Sequence, residues 1–221
     1  MPLFDAKPRI TILGEEPVFP DPDQALTDPD GLLAVGGDLS PGRLLTAYAH
    51  GIFPWYSPGQ AILWWSPSRR MVLFPDEFHC SRSLHRFLNQ NPFTFTMDRA
   101  FDEVIDTCAK IRRKGERGTW ITREMRKAYK TLHALGHARS VEVWAGAGLA
   151  GGVYGVFLNG VFFGESMFSK KTNGSKAALW HLCTRAPELG IRMIDCQFHT
   201  DHLESLGARE IGRRDFMSCL Y

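Results

Sequence analysis

Residues 149–169 read LAGGVYGVFLNGVFFGESMFS, which is two apolar runs on either side of Asn159-Gly160. Both turn residues tolerate the positive φ that a two-residue type I′ turn requires, so the segment predicts a β-hairpin. A polar loop follows at 169–174, a helical pattern begins at Ser175, and a short buried strand is predicted at 191–198. We therefore expect a hairpin, a helix and a strand to form the centre of an α/β domain.

Strand and helix patterns extend this domain in both directions. Residues 93–97 alternate like a strand, Asp98 can cap the helix that follows, and Thr122 can cap another. A further strand is predicted at 140–144, and a short helix at 201–206 precedes a β-like tail. The order β-α-α-β-β-β-α-β predicts an α/β (α+β) fold whose mixed sheet is largely antiparallel.

The first part of the chain has a different character. Ser40 can cap a helix that Gly51 stops, and prolines and tryptophans are dense between residues 51 and 67. Such a stretch is typical of a connector rich in fixed bends. We predict a smaller N-terminal domain over residues 1–68 and a larger α/β domain over residues 69–221.

Composition argues against several classes of protein. The chain has 221 residues, 44% of them hydrophobic, and no apolar run approaches the roughly 20 residues that span a bilayer. The first residues lack the basic segment and apolar stretch of a secretory signal. The five cysteines are widely spaced with no CxxC pair, which argues against a disulfide framework or a zinc site. We expect a cytoplasmic protein that binds neither a membrane nor a metal.

Charge is unevenly distributed along the chain. Residues 110–130 hold nine Lys or Arg against two Glu, whereas the first 40 residues hold eight acidic side chains against two basic ones. Such asymmetry indicates a surface for a polyanion on one face of the protein. The alternative is a solvated helical face, and charge alone favours that alternative.

Seven short motifs carry a more specific signal. They are GGDLSP (36–41), GIFPW (51–55), LWWSP (63–67), GTWIT (118–122), GESMFS (164–169), IDCQ (194–197) and HLESLG (202–207). In this order they resemble the leucyl/phenylalanyl-tRNA–protein transferase family, over nearly the whole chain from Phe19 to Phe216. The resemblance implies a GNAT-like acyltransferase fold. It also implies transfer of Leu or Phe, less often Met, from aminoacyl-tRNA to proteins with N-terminal Arg or Lys, which marks the product for degradation.

Three polar residues are implied as catalytic. Asp195 and Gln197 lie two apart on a predicted strand, a spacing that places side chains on one face. In the family, Asp195 would polarise the Gln197 amide, whose oxygen accepts a hydrogen bond from the attacking amine. Because an amide is a poor base, we favour a role for Gln197 in orienting the amine. Glu165 would pair with the basic side chain or α-ammonium of the acceptor.

Both carboxylates also have ordinary structural explanations. Asp195 could simply satisfy backbone donors at the end of a sheet, since polar residues in strands are often structural. Glu165 could form a surface ion pair, which contributes little to stability.

The resemblance further implies sites for the aminoacylated end of tRNA. The Leu or Phe side chain would enter an apolar pocket, although these positions equally suit an ordinary core. The pocket residues are Val153, Phe162, Met167, Leu179, Leu182 and Ile194. The terminal adenosine would stack on Trp55 and Trp120, assisted by Tyr48. Trp64 and Trp65 are expected to pack between the domains.

The acceptor stem would be held through its phosphates, which are read without regard to sequence. The residues expected to contact it are Lys110, Arg112, Arg113, Lys114, Arg117, Arg126, Lys127 and Lys130. Weaker candidates are Lys170, Lys171 and Arg82. We expect a monomer that needs no cofactor.

Three other functions stay open on the residues alone. An acetyl-CoA-dependent N-acyltransferase of the same fold needs a pyrophosphate-binding loop, for which residues 171–176 are an imperfect match. A noncatalytic RNA-binding module would use the same basic and aromatic residues. A thiol hydrolase could use Cys196 with His199 or His202, but cysteine in a buried strand is usually inert.

Overall fold

The structure is a computed structural model that describes residues 10–111 and 119–221. Its strands are β1 (Thr11–Leu13), β2 (Leu32–Gly36), β3 (Phe53–Pro54), β4 (Leu63–Trp65), β5 (Arg69–Leu73), β6 (Thr94–Met97), β7 (Ala138–Ala145), β8 (Gly148–Leu158), β9 (Val161–Ser169), β10 (Met193–Gln197) and β11 (Arg209–Gly212). Its α-helices are α1 (Pro41–Ala49), α2 (Arg82–Leu88), α3 (Phe101–Lys110), α4 (Arg123–Ala134), α5 (Gly174–Leu189), α6 (Asp201–Glu204) and α7 (Arg213–Ser218).

The strands form two sheets of unequal size. The smaller has the order β1-β2-β4-β3, and the larger has the order β11-β5-β10-β9-β8-β7-β6. In the larger sheet β9 and β10 run parallel, whereas its other neighbouring strands run antiparallel. The predicted α/β (α+β) class, with a largely antiparallel sheet and a smaller N-terminal part, is confirmed. The domain boundary predicted at residue 68 falls between β4 and β5 and stays a prediction.

The hairpin at the centre of the larger sheet forms as predicted. β8 and β9 pair antiparallel, and the turn residues Asn159 and Gly160 have φ of 50° and 75°. Positive φ at both positions is the signature of a type I′ turn, whose twist matches that of the flanking strands. β10 then pairs parallel to β9, which places Asp195 beside Phe163 and close to the strand segment that carries Glu165.

Two of the three predicted helix caps are confirmed. The hydroxyls of Ser40 and Thr122 accept hydrogen bonds from the N–H groups of Arg43 and Met125, at the starts of α1 and α4. The cap predicted at Asp98 is wrong, because α3 begins later, after Ala100. The Asp98 carboxylate instead accepts the N–H of Ser140 at 2.8 Å on the neighbouring strand. The carboxylate that the sequence pattern assigned to a helix cap therefore accepts a backbone N–H of strand β7 instead.

Helices cover both faces of the larger sheet. Apolar side chains of α3 and α4 share a buried cluster with Tyr154 and Val156, whereas those of α5 pack in a second cluster with Val153. Adjacent residues of a strand point to opposite faces, which places α5 across the sheet from α3 and α4. Tyr48 and Trp64 belong to the first cluster, so the smaller sheet shares its core with this face.

Several features of the described residues were not predicted, among them the strands β1 and β2. β3 and β4 are short strands inside what the sequence suggested was only a connector. The tail predicted as β-like forms β11 but then continues as helix α7. In addition, none of the helices described is both long and apolar enough to cross a membrane.

Candidate active site

Asp195 lies at the centre of β10 and is fully buried. Its two carboxylate oxygens accept hydrogen bonds from Nε and Nη2 of Arg70, at 2.8 and 2.7 Å. Arg70 comes from the adjacent antiparallel strand β5 and is itself 1% exposed. Two-point pairing of this kind is the strongest geometry available to a carboxylate and a guanidinium. Asp195 therefore does more than satisfy backbone donors at a sheet end.

Gln197 follows a bulge in β10. Between Asp195 and Gln197 the register with β5 shifts, and Gln197 has a φ of 58°, in the left-handed region. Its N–H donates to Oδ1 of Asp195 at 3.0 Å, while its side-chain Nε2 is buried with no hydrogen-bond partner in the described parts of the chain. The bulge interrupts strand alternation, so the spacing of two residues does not by itself define a shared face here. The unpartnered amide is an open donor.

Glu165 is buried on β9 and is bound by tyrosine hydroxyls. Its Oε1 accepts from Tyr48 and its Oε2 accepts from Tyr129, each at 2.7 Å, and the two hydroxyl oxygens lie 2.5 Å apart. Burial, with a smaller contribution from the nearby Asp195 charge, raises the pKa of Glu165 to about 7 against the lowering effect of the two hydroxyls and Arg70. The surface ion pair that we considered for Glu165 is therefore wrong.

These side chains converge on two neighbouring strands. Glu165 and Asp195 are two buried carboxylates that interact electrostatically, and the buried guanidinium of Arg70 compensates one of the two charges. With both acids ionised this group has an excess of negative charge. Such a group can attract a cation, position an amine and, at Glu165, exchange a proton near neutral pH.

Sequence reasoning missed two members of this group. Tyr129 looked like one more residue of the apolar stripe of α4, although a buried tyrosine generally needs a partner for its hydroxyl. Arg70 precedes a run of apolar strand residues, and nothing local marks its partner 125 positions later. Tyr48 was predicted to assist in holding adenosine, but its ring is fully buried against Phe163 and its hydroxyl serves Glu165.

The two remaining aromatic candidates differ in exposure. Trp55 is 43% exposed and packs edge-on against Trp65 and at a tilt against Phe198, the residue after Gln197. Trp120 is partly buried against the first of the two apolar clusters, the one that contains Tyr48 and Trp64. The two segments approach each other where the Tyr56 hydroxyl lies 3.5 Å from Oγ1 of Thr122, two residues after Trp120. A cleft of about 730 Å³ lies between the segments and is lined by neither tryptophan.

The six residues predicted to form the Leu/Phe pocket lie in one apolar cluster. Of these, Val153, Phe162, Leu179, Leu182 and Ile194 are buried. Met167 packs against the same cluster and is the partly exposed member of the six.

Trp64 and Trp65 are both buried, and the Trp64 indole N–H donates to the Gly36 carbonyl, as packing residues do.

The basic segment is only partly visible in the structure. Arg112, Arg113, Lys114 and Arg117 lie outside the described residues. On α4, Arg126 pairs with Asp106 at 3.1 Å, and Lys130 pairs with both Asp102 and Asp106. Arg126, Lys127 and Lys130 line a surface hollow of about 520 Å³. Part of the positive charge of α4 is therefore compensated by α3.

The structural features expected of the rival enzymes receive little support. At the start of α5 the Gly174 and Ser175 N–H groups already donate to Lys171 O and Ser169 Oγ, and Gly151 of β8 packs directly on Gly174. A pyrophosphate would need such N–H groups free. Burial raises the pKa of Cys196, which disfavours the thiolate that a thiol hydrolase needs.

One group of side chains could in principle hold a metal ion. His199, Asp201 and Glu204 bring ligand atoms within 4.8 Å of one another, but all three residues are exposed. Exposed acidic groups of this kind are common without a metal.

Similar solved structures include FemX (TM-score 0.49, 12% identity, covering 78% of this chain and 66% of that one) and a GCN5-related N-acetyltransferase from Kribbella flavida (TM-score 0.41, 11% identity, covering 78% and 63%). At these TM-scores neither similarity carries an argument, so the fold class rests on the strand order itself.

Sequence comparison is far more specific. The leucyl/phenylalanyl-tRNA protein transferase family model matches residues 72–221, and the model of that family's N-terminal domain matches residues 37–68. Leucyl/phenylalanyl-tRNA–protein transferases from Salmonella heidelberg and Salmonella typhimurium are 55% identical over 202 residues, which is 91% of this chain and 85% of each relative. The resemblance carried by the seven motifs is confirmed, and the chain belongs to the leucyl/phenylalanyl-tRNA–protein transferase family.

Proposed function

We propose that this transferase moves Leu or Phe, and less often Met, from aminoacyl-tRNA to the α-amine of proteins that begin with Arg or Lys. The product is then marked for degradation through the N-degron (N-end rule) pathway. We further propose that the enzyme is a cytoplasmic monomer that needs no cofactor. The observation that carries the proposal is the pair of buried carboxylates Glu165 and Asp195 on adjacent strands. Their negative charge suits an acceptor that brings a cation to the site.

The reaction is aminolysis of an ester. The neutral α-amine attacks the carbonyl carbon of the aminoacyl group, a C–N bond forms, and the C–O bond to the tRNA ribose breaks. The amine loses one proton and the departing ribose oxygen gains one, so the products are a peptide amide and free tRNA. Since the ester is already activated, the enzyme's task is to position the amine and stabilise developing charge, with no covalent enzyme intermediate.

Glu165 and Gln197 suit complementary tasks in this step. The pKa of Glu165, raised to about 7, lies close to the roughly 7.7–8.0 of an α-ammonium, so its ionised form can hold that group and accept its proton. Gln197 would orient the amine through its amide oxygen. Its buried amide nitrogen has no partner in the described residues, which leaves the group free to bind substrate.

The aminoacylated end of tRNA has matching surfaces. Trp55 offers an exposed ring beside Phe198 for the terminal adenosine, and Trp120 would close over it. The Leu or Phe side chain would enter the apolar cluster beside Met167, because this methionine is the partly exposed and most adaptable member. The basic segment 110–130 would hold phosphates of the acceptor stem.

The deciding assay uses labelled Phe-tRNA with three peptides: one starting with Arg, the same peptide acetylated at its N-terminus, and one starting with Glu. We expect label on the free Arg peptide alone. Transfer to the Glu peptide at the same rate would overturn the acceptor assignment. RNA binding without any transfer would instead favour the noncatalytic RNA-binding module.

A further inference from the structure

The Arg70 guanidinium is held on every side. Its carbon lies 4.5 Å from the ring centres of both Phe53 and Phe216, one from the smaller sheet and one from α7. Its Nη1 donates to the Gly51 carbonyl at 3.1 Å, while Nε and Nη2 donate to Asp195. A planar guanidinium bound in this way has one orientation, which a lysine ammonium could not reproduce.

The Asp195 carboxylate is correspondingly occupied. Oδ1 accepts from Arg70 Nε and from the Gln197 N–H, and Oδ2 accepts from Arg70 Nη2. The side chain has no exposed surface. A substrate amine could reach this carboxylate only by displacing donors that are already well placed.

Gln197 is where this chain of contacts ends. A φ of 58° is disfavoured for a residue with a long side chain, since the Cβ crowds the following carbonyl. The N–H of Gln197 is bonded to Asp195 in this conformation, and the bond compensates for the crowding. The guanidinium thus fixes the carboxylate, and the carboxylate fixes the backbone from which the Gln197 amide projects.

We propose that Arg70 and Asp195 form one positioning unit for Gln197. The inference rests on the proposed function, because it assigns Gln197 the contact with the attacking amine. Arg70 is a positioning residue in this scheme, since it acts through Asp195. The unit also joins the smaller sheet, the larger sheet and α7 at the point where the reaction takes place.

The test compares Arg70→Lys with Arg43→Lys. Arg43 is the matched control because it is also fully buried and donates to the carbonyls of Gly14 and Glu15 and to the Asp38 carboxylate, none of which belongs to this site. We expect Arg70→Lys to lower kcat about 10²-fold with little change in KM for Phe-tRNA. Arg43→Lys should leave kcat within about twofold, since the hydrogen bonds and packing that it disturbs lie outside the site. Equal losses of kcat in the two variants would reduce Arg70 to a structural role and overturn the proposal.

A separate measurement needs no substrate. Hydrogen exchange of the backbone N–H of Gln197 should become faster in Arg70→Lys but not in Arg43→Lys, because only Arg70→Lys loosens the Asp195 carboxylate that accepts this N–H. This measurement is valid even if the wild-type protein fails to modify an Arg peptide, a failure that would contradict the proposed function alone.

Should Arg70→Lys not fold, Phe216→Leu removes one of the two rings that pack on the guanidinium and should produce the same changes at smaller size. Unchanged exchange and unchanged kcat in the folded variant would overturn the inference.

Discussion

Glu165 and Asp195 are both buried carboxylates on neighbouring strands, yet they are stabilised in opposite ways. Asp195 is paired with a cation, whereas Glu165 faces two neutral tyrosine hydroxyls. A guanidinium favours the ionised form outright, while hydroxyl donors only partly offset the cost of burying a charge. The first arrangement keeps an anion in place, and the second yields an acid whose pKa is raised to about 7. We expect the structural role at Asp195 and the titrating role at Glu165.

The largest expected effect is that of Asp195→Ala. Removing one partner of a buried ion pair leaves Arg70 charged and unpaired, which should lower the free energy of unfolding by about 3–5 kcal/mol. Transfer should be strongly reduced, while the folded protein should bind Phe-tRNA with near-normal affinity. Chemical denaturation and filter binding measure the two quantities. A double variant, Arg70→Met with Asp195→Leu, should regain stability but not transfer; recovered transfer would contradict the assigned role.

A smaller effect is expected from the pH dependence of Glu165. Below its ordinary pKa of 4.5 the carboxyl is protonated whether the chain is folded or not, and its contribution to stability is lost as pH rises through about 7. Unfolding should therefore become easier across this range, by about 3 kcal/mol. Denaturation curves at several pH values should show this slope in the wild type and not in Glu165→Gln. An identical slope in both proteins would show that another group is responsible.

Trp55→Ala tests binding apart from either carboxylate. Loss of a stacking surface should weaken Phe-tRNA binding by about 1–3 kcal/mol, because bases stack on exposed aromatic rings. The maximal rate at saturating Phe-tRNA should change little, in contrast to Asp195→Ala. Trp64→Phe is the matched control, since Trp64 is fully buried and should alter stability only. Normal affinity in Trp55→Ala would remove this ring from the adenosine site.

The smallest expected effect is that of Tyr129→Phe. The variant removes one hydroxyl donor from Glu165, which should raise the pKa of that carboxyl above about 7 and cost about 1 kcal/mol of stability. The rising limb of the transfer rate should move to higher pH by a corresponding amount. Tyr48→Phe should behave in the same way, since its hydroxyl bonds the other carboxylate oxygen at an equal distance. A shift to lower pH would show that the hydroxyls do not favour the ionised form.

Sequence signals predicted local structure well where the chemistry is local. The Asn159-Gly160 turn and the caps at Ser40 and Thr122 involve residues only a few positions apart, so their residue types define the geometry. The adjacency of the strands that carry Glu165 and Asp195 followed from the hairpin, helix and strand order.

The missing parts of the site depend on tertiary pairing. Arg70 meets Asp195 across two strands, and Tyr48 and Tyr129 come from helices that only the folded core brings together. The bulge before Gln197 depends on the register with β5, which no local pattern indicates. For the same reason the sequence did not show that Tyr48 is sealed in the core rather than open to a nucleobase.

The two hydroxyls over Glu165 come from different halves of the chain, Tyr48 from α1 and Tyr129 from α4. A fragment limited to residues 69–221 would keep both acids but lose Tyr48, the Gly51 carbonyl and the Phe53 ring. In such a fragment Glu165 would have a different proton affinity, and Asp195 would be held less rigidly by Arg70. Anyone grafting this chemistry onto another scaffold must therefore transplant α1 and the turn after it, because the small N-terminal sheet tunes the acids of the large one.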